Sequence, residues 1–210
     1  MKIENQEKIW DKISEPWKTF RVKPLDEVVD FLKDKKGNIL DLGCGSGRNF
    51  VKIKGTIYGT DFSKNQIKFA EEYAKKERIN AKLIKAEAFD IPFEDNFFDA
   101  AIFITVLHCI PDSKKREKSL KELFRVMKPK TEALIMVWNK DQEKFKNSEK
   151  EIIIPWKLNG KEHPRYYYLY NKEELINLLE SVGFKIIKTQ DVEKEAGNSK
   201  RNIMVVVKKP

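Results

Sequence analysis

The stretch Ile39-Leu40-Asp41-Leu42-Gly43-Cys44-Gly45-Ser46-Gly47-Arg48 holds the residues best suited to chemistry. An apolar run ends in an acid and then in glycines, and glycine lets a backbone approach a ligand closely at the carboxyl end of a buried strand. A second acid, Asp61, closes the next apolar run, 18 residues after Gly43. That spacing suits a carboxylate that grips ribose hydroxyls. A dinucleotide loop of the form Gly-x-Gly-x-x-Gly would place its third glycine at position 48, which is Arg48. Here Gly47 comes one residue early, and Asp41 precedes the loop by two.

Other reactive groups are sparse. Cys44 and Cys109 are the only cysteines, too few for a disulfide framework and without the further ligands a metal site needs. Both read as small packing residues, and no metal is expected. His108 reads either as a strand-end residue bonded to backbone or as a group touching substrate.

The elements that must position these groups follow from periodicity. Residues 24–33 carry Leu25, Val28, Val29 and Leu32 at helical spacing. Strands are expected at 38–42, 56–60, 81–85, 98–105 and 131–138, with a helix after the glycine loop. The run 98–105 is almost continuously apolar, as a strand buried on both faces should be. Ser63 with Gln66 three residues on forms a capping box for a helix over 63–77, and Leu120, Leu123, Phe124 and Met127 mark the inner face of another over 113–127. Asn171 and Glu174 open a further helix that Gly183 ends. Alternating strands and helices give a doubly wound α/β fold with a mostly parallel sheet. The last two strands, 184–190 and 202–208, are joined by a short polar loop and should pair antiparallel. Residues 139–170 break the rhythm and read as an insertion that builds or covers a site.

Composition bounds the class. The chain has 210 residues and 40% apolar content, enough for one domain over 1–210 with a modest insertion. The longest apolar stretch, 100–107, is too short to cross a bilayer, and the first residues lack the apolar run of a signal peptide. A reduced, cytoplasmic setting is therefore expected. The 42 basic residues exceed the 33 acidic ones to give a net charge of +9, which attracts polyanions, RNA first among them. Lys114, Lys118, Lys121 and Arg125 form one stripe on a helix, read as a solvated face or as phosphate contacts.

The glycine loop with Asp41 and Asp61 resembles the first motifs of the large seven-stranded S-adenosylmethionine-dependent methyltransferase family. Ala86-Glu87-Ala88-Phe89, then Ile91-Pro92-Phe93 with Asn96-Phe97-Phe98-Asp99, then Thr105-Val106-Leu107-His108 resemble its later motifs, in order. The resemblance implies S-adenosylmethionine as cofactor, held by Asp41, Gly43, Cys44, Gly45, Asp61, Phe62, Glu87, Ala88 and Thr105. The flanks resemble a narrower group that esterifies the 5-carboxymethyl group of the tRNA wobble uridine. These are Trp10-Asp11-Lys12-Ile13-Ser14 with Trp17 to Pro24, Val106-Leu107-His108-Cys109-Ile110, and Ile154-Pro155-Trp156 with Arg165-Tyr166-Tyr167-Tyr168-Leu169-Tyr170. The sequence departs from that group at Tyr168 and Cys109, where histidine is usual, and at Leu25, where an aromatic is usual.

A carboxylate acceptor is already ionised near neutral pH, so no general base is required. It calls for a cationic fork, and Arg21 and Arg165 are the candidates, with His108 and Tyr166 beside them. Residues 1–37 are expected to be a helical segment covering the site. In the family's sheet order 81–85 is an edge strand, which invites strand addition by a small zinc-containing activator protein. Two other functions fit the same core: methylation of a small molecule, and a non-catalytic cofactor-binding or RNA-binding subunit. The intact Asp41, Gly43, Gly45, Asp61 and Glu87 argue against the last.

Overall fold

The computed structural model describes residues 3–20, 22–191 and 202–210. Seven strands form one sheet in the order β3-β2-β1-β4-β5-β9-β8. They are β1 (Lys36–Leu42), β2 (Lys54–Asp61), β3 (Ala81–Lys85), β4 (Phe98–Ile104), β5 (Met127–Trp138), β8 (Lys185–Asp191) and β9 (Asn202–Lys208). The first five pair in parallel, and β9 runs antiparallel to both β5 and β8. The doubly wound sheet and the antiparallel last strand are as the sequence predicts. Strand order reverses between β1 and β4, which opens a crevice at the carboxyl ends of the strands.

Helices cover both faces. Val28 and Leu32 of α2 (Asp26–Leu32) pack with Ile39, Ala100 and Ile102, while Ile67, Ala70 and Ala74 of α3 (Lys64–Glu77) pack with Ile57. Leu120 and Leu123 of α4 (Ser113–Val126) and Leu175 and Leu179 of α5 (Lys172–Val182) pack on the other face against Leu40, Ala101 and Phe103. Alternate residues of β4 thus serve opposite cores. The caps work as the sequence predicts. The side chains of Ser63 and Asn171 accept from the backbone N–H of Gln66 and Glu174, and Gly183 ends α5 with φ 108°.

One expected element does not form. Between Gly43 and Ile53 the chain turns without a helix. Only residues 48–53 separate the glycine turn from β2, fewer than a crossover helix needs. Phe50 buries itself instead among Ile57, Ile67 and Ala70, and the N-terminal α2 covers the neighbouring part of the sheet.

Two pieces stand over the crevice. Helix α1 (Gln6–Thr19) buries Ile9, Trp10 and Ile13. The 139–170 region contains a separate antiparallel hairpin, β6 (Glu151–Leu158) and β7 (Lys161–Tyr168). Its turn, Asn159-Gly160, has φ 51° and 73°. Positive φ at both central residues is the primed turn that matches strand twist.

Candidate active site

A cleft of about 1010 Å³ opens at the strand ends, lined by Gly43, Cys44 and Gly45 after β1, Asp61 and Phe62 after β2, Ala86 to Phe89 after β3, Thr105 and Val106 after β4, and Trp138 of β5. Helix α1 adds Trp10 and Trp17, and the hairpin adds Ile154, Trp156 and Arg165.

The glycine loop is tied down by the acid. Asp61 Oδ2 accepts from Gly45 N at 3.0 Å and Oδ1 from Ser63 N at 2.9 Å. Gly45 lies at φ 54°, and a Cβ there would meet only Gln66 Oε1, at 3.9 Å. Its α-carbon therefore faces open cleft, and a side chain would occupy space a ligand needs. Gln66 Oε1 lines the same pocket, buried and without a partner. Glycine loop, half-satisfied carboxylate and orphaned amide oxygen suit a ligand that brings hydroxyl donors, as a ribose does.

The charge balance points the same way. Burial pushes Asp41 up to about 8, with the Asp61 charge adding to it. Burial raises Asp61 to about 6, against the opposing bonds from the Ser63 and Gly45 N–H groups. Burial likewise raises Glu87, with the Lys115 charge opposing it. Carboxyls so raised are eased by a cation, and the sulfonium cofactor expected from the sequence is cationic. The residues fit that group.

Of the cofactor residues expected from the sequence, Gly43, Cys44, Gly45, Asp61, Phe62, Glu87, Ala88 and Thr105 all line the cleft. Asp41 does not; it is 1% exposed and lies behind the loop, with Oδ2 unpartnered. Thr105 adopts φ 58°, rare for a β-branched residue. Its N–H is held by Met136 O at 2.8 Å, and the sharp turn leads the chain from β4 along the cleft wall.

The acceptor-side residues divide. Arg165 lines the cleft at 7% exposure, and its Nε has no partner. Its guanidinium carbon lies 5.2–5.9 Å from the ring centres of Trp10, Trp17, Trp156 and Tyr167. His108 and Tyr166 do not line the cleft. His108 Nδ1 accepts from Trp138 N at 3.4 Å, and its ring stacks with Trp138 and Tyr167. Tyr166 is fully buried, accepts from Arg116 Nη1 at 3.3 Å, and has its phenol pushed up to about 12 by burial. A phenol held there stays protonated near neutral pH and cannot serve as a base. Arg21 lies outside the described residues. Of the three departures from the narrower family, Leu25 and Cys109 line the cleft, while Tyr168 hydrogen-bonds Glu174.

The basic stripe also divides. Lys118 reaches over the ring of Phe89 at the cleft rim at 5.9 Å, beside Lys115, which is not one of the stripe residues, at 4.5 Å. Lys121 pairs with Glu117, and Arg125 is consumed by Glu122, Asp95 and the Phe93 carbonyl. The three cleft tryptophans around Arg165 carry no sequence signal of a role at the site. Trp10 and Trp17 stand seven residues apart on one helix, a spacing that puts both on one face.

A crevice at the switch point, a glycine loop and a ribose-type acid define a nucleoside-cofactor enzyme with a Rossmann-like sheet. Residues 40–135 match the family model described as a methyltransferase domain. A tRNA (carboxymethyluridine(34)-5-O)-methyltransferase of Schizosaccharomyces pombe is 26% identical over 96% of this chain and 94% of its own. Two solved structures share the fold. An S-adenosylmethionine-dependent methyltransferase of Methanosarcina mazei has TM-score 0.72 at 23% identity, covering 89% of this chain and 98% of that one. A chain from the complex between the Haloferax volcanii Trm112 methyltransferase activator and the putative methyltransferase has TM-score 0.75 at 13% identity, with 98% of each covered. The present chain carries a methyltransferase domain and is an S-adenosylmethionine-dependent methyltransferase.

Proposed function

We propose that the acceptor is a carboxylate on an RNA base, the 5-carboxymethyl group of a tRNA wobble uridine, and that the product is its methyl ester. One observation carries this: Arg165, a buried guanidinium walled by four aromatic rings, facing the cleft with an unpartnered Nε. Among the described residues no carboxylate forms an ion pair with Arg165, and a desolvated cation in that position is costly until an anion arrives. A guanidinium fork orients a carboxylate in two places, and the aromatic walls offer faces on which a splayed base can stack.

Bound S-adenosylmethionine supplies an electrophilic methyl group. The chain's own task is to bring the acceptor oxygen in line, at about 3–3.5 Å, and to exclude water. Trp10, Trp17 and Trp156 do the excluding. No residue need remove a proton, which agrees with His108 being turned into the aromatic stack and Tyr166 being held protonated. The name of the fission-yeast relative supports the same substrate. Arg165→Ala should lower turnover on tRNA by about 10²-fold or more while calorimetry shows unchanged cofactor affinity. Full turnover by Arg165→Ala would remove the fork from the account.

The rim lysines Lys115 and Lys118 would hold nearby phosphates. Strand β3 is an edge of the sheet with Leu83 and Ile84 half-buried, and a small zinc-binding activator would add a strand there. The Haloferax volcanii complex, of the same fold, supports this. Co-expression with such a partner should raise solubility and turnover; a stable monomer with full activity alone would make the partner unnecessary.

A further inference from the structure

Helix α1 is hydrogen-bonded at one point to the segment that holds the cofactor acid and at another to the backbone on either side of the acceptor arginine. At its first residue, Gln6 Nε2 donates to Pro164 O at 3.2 Å, and Gln6 Oε1 accepts from Tyr166 N at 2.9 Å. One buried side chain therefore grips the backbone on both sides of Arg165. Further along the helix, Asp11 Oδ1 accepts from Ser63 Oγ at 2.7 Å and from Asn65 N at 3.0 Å, and Oδ2 from Asn65 Nδ2 at 3.1 Å. Ser63 N is held by Asp61, which also holds Gly45 N of the glycine loop. The same helix supplies two walls of the arginine box, Trp10 and Trp17.

We infer that Gln6 and Asp11 are positioning residues through which cofactor binding completes the acceptor site. A ligand that engages Asp61 or Gln66 fixes the loop and the start of α3. Asp11 then fixes α1, and Gln6 fixes the backbone that aims Arg165. Neither Gln6 nor Asp11 lends an atom to the reaction. By linkage, the acceptor must tighten cofactor binding by the same factor. The inference rests on the carboxylate acceptor proposed above.

The chain's four tryptophans, Trp10, Trp17, Trp138 and Trp156, all line the cleft, so intrinsic fluorescence reports on it directly. The test titrates 5-carboxymethyluridine nucleoside into the full chain, with and without saturating S-adenosylhomocysteine. In the wild type the demethylated cofactor should tighten nucleoside binding about tenfold, within the usual span of site-to-site coupling. Gln6→Met keeps the side chain's length and removes both hydrogen bonds. It should bring that factor close to unity while calorimetry finds S-adenosylhomocysteine affinity unchanged. Asp11→Ala should also abolish the coupling and decides the matter if Gln6→Met does not fold. Wild-type coupling retained in both variants, or no coupling in the wild type, overturns the inference and leaves the carboxylate reading standing. A wild type that binds no nucleoside overturns both.

Discussion

Asp41 is a residue whose chemistry is set by where the fold puts it. Its carboxyl has an ordinary value of 3.8 and is raised to about 8 by burial and by Asp61. The folded state therefore holds a proton that the unfolded chain gives up. The stability this proton contributes is fully present below the unfolded value and is lost as pH rises through the folded one. The cofactor-free protein should lose stability between about pH 5 and about pH 8, by up to about 1.4 kcal/mol per pH unit for one proton. Asp41→Asn should flatten that slope. Denaturant melts across pH check it, and equal slopes in wild type and variant would show that Asp41 does not carry the proton. The glycine loop and the acid that line the cleft were legible in sequence because glycines and an acid at a fixed distance leave few alternatives. His108 and Tyr166 were not, since a strand-end histidine and a tyrosine run look alike whether they face a cleft or a core. Their direction is decided by partners far along the chain, Trp138 and Arg116.

At the scale of elements, hydrophobic periodicity and capping residues located the sheet and the helices α3, α4 and α5. The helix expected after the glycine loop failed because too few residues remained before β2 and because α2, from earlier in the chain, took the space. The insertion was visible as a broken rhythm, but its hairpin rests on the Asn159-Gly160 turn and on cross-strand pairs from Glu151↔Tyr168 to Leu158↔Lys161. That turn offers a test of the hairpin as the acceptor wall. A Cβ at Gly160 would meet nothing within 4 Å, yet φ is 73°. Gly160→Ala therefore adds backbone strain without a clash, about 1–3 kcal/mol. Steady-state kinetics should show kcat/KM for tRNA reduced by about tenfold, with cofactor affinity intact. A variant with wild-type kcat/KM would mean that the hairpin does not set the acceptor geometry.

At the scale of the whole molecule, the strand ends of the sheet line one part of the cleft, and the pieces outside it, α1 and the hairpin, line the part proposed to take the acceptor. The net charge of +9 suits a polyanionic partner but is spread too evenly to locate one. No helix among the described residues is long and apolar enough to cross a membrane. The central claim is that the methyl group ends as an ester on a base carboxylate, and one measurement reaches it directly. Purified protein is incubated with methyl-labelled S-adenosylmethionine and bulk tRNA, and the recovered tRNA is divided between mild alkali and nuclease digestion with mass spectrometry. The account predicts label released by alkali as methanol, and a digest in which the methylated nucleoside is the methyl ester of 5-carboxymethyluridine from the wobble position. Alkali-stable label on a ring atom or ribose, or label that appears only on a free metabolite, would contradict it.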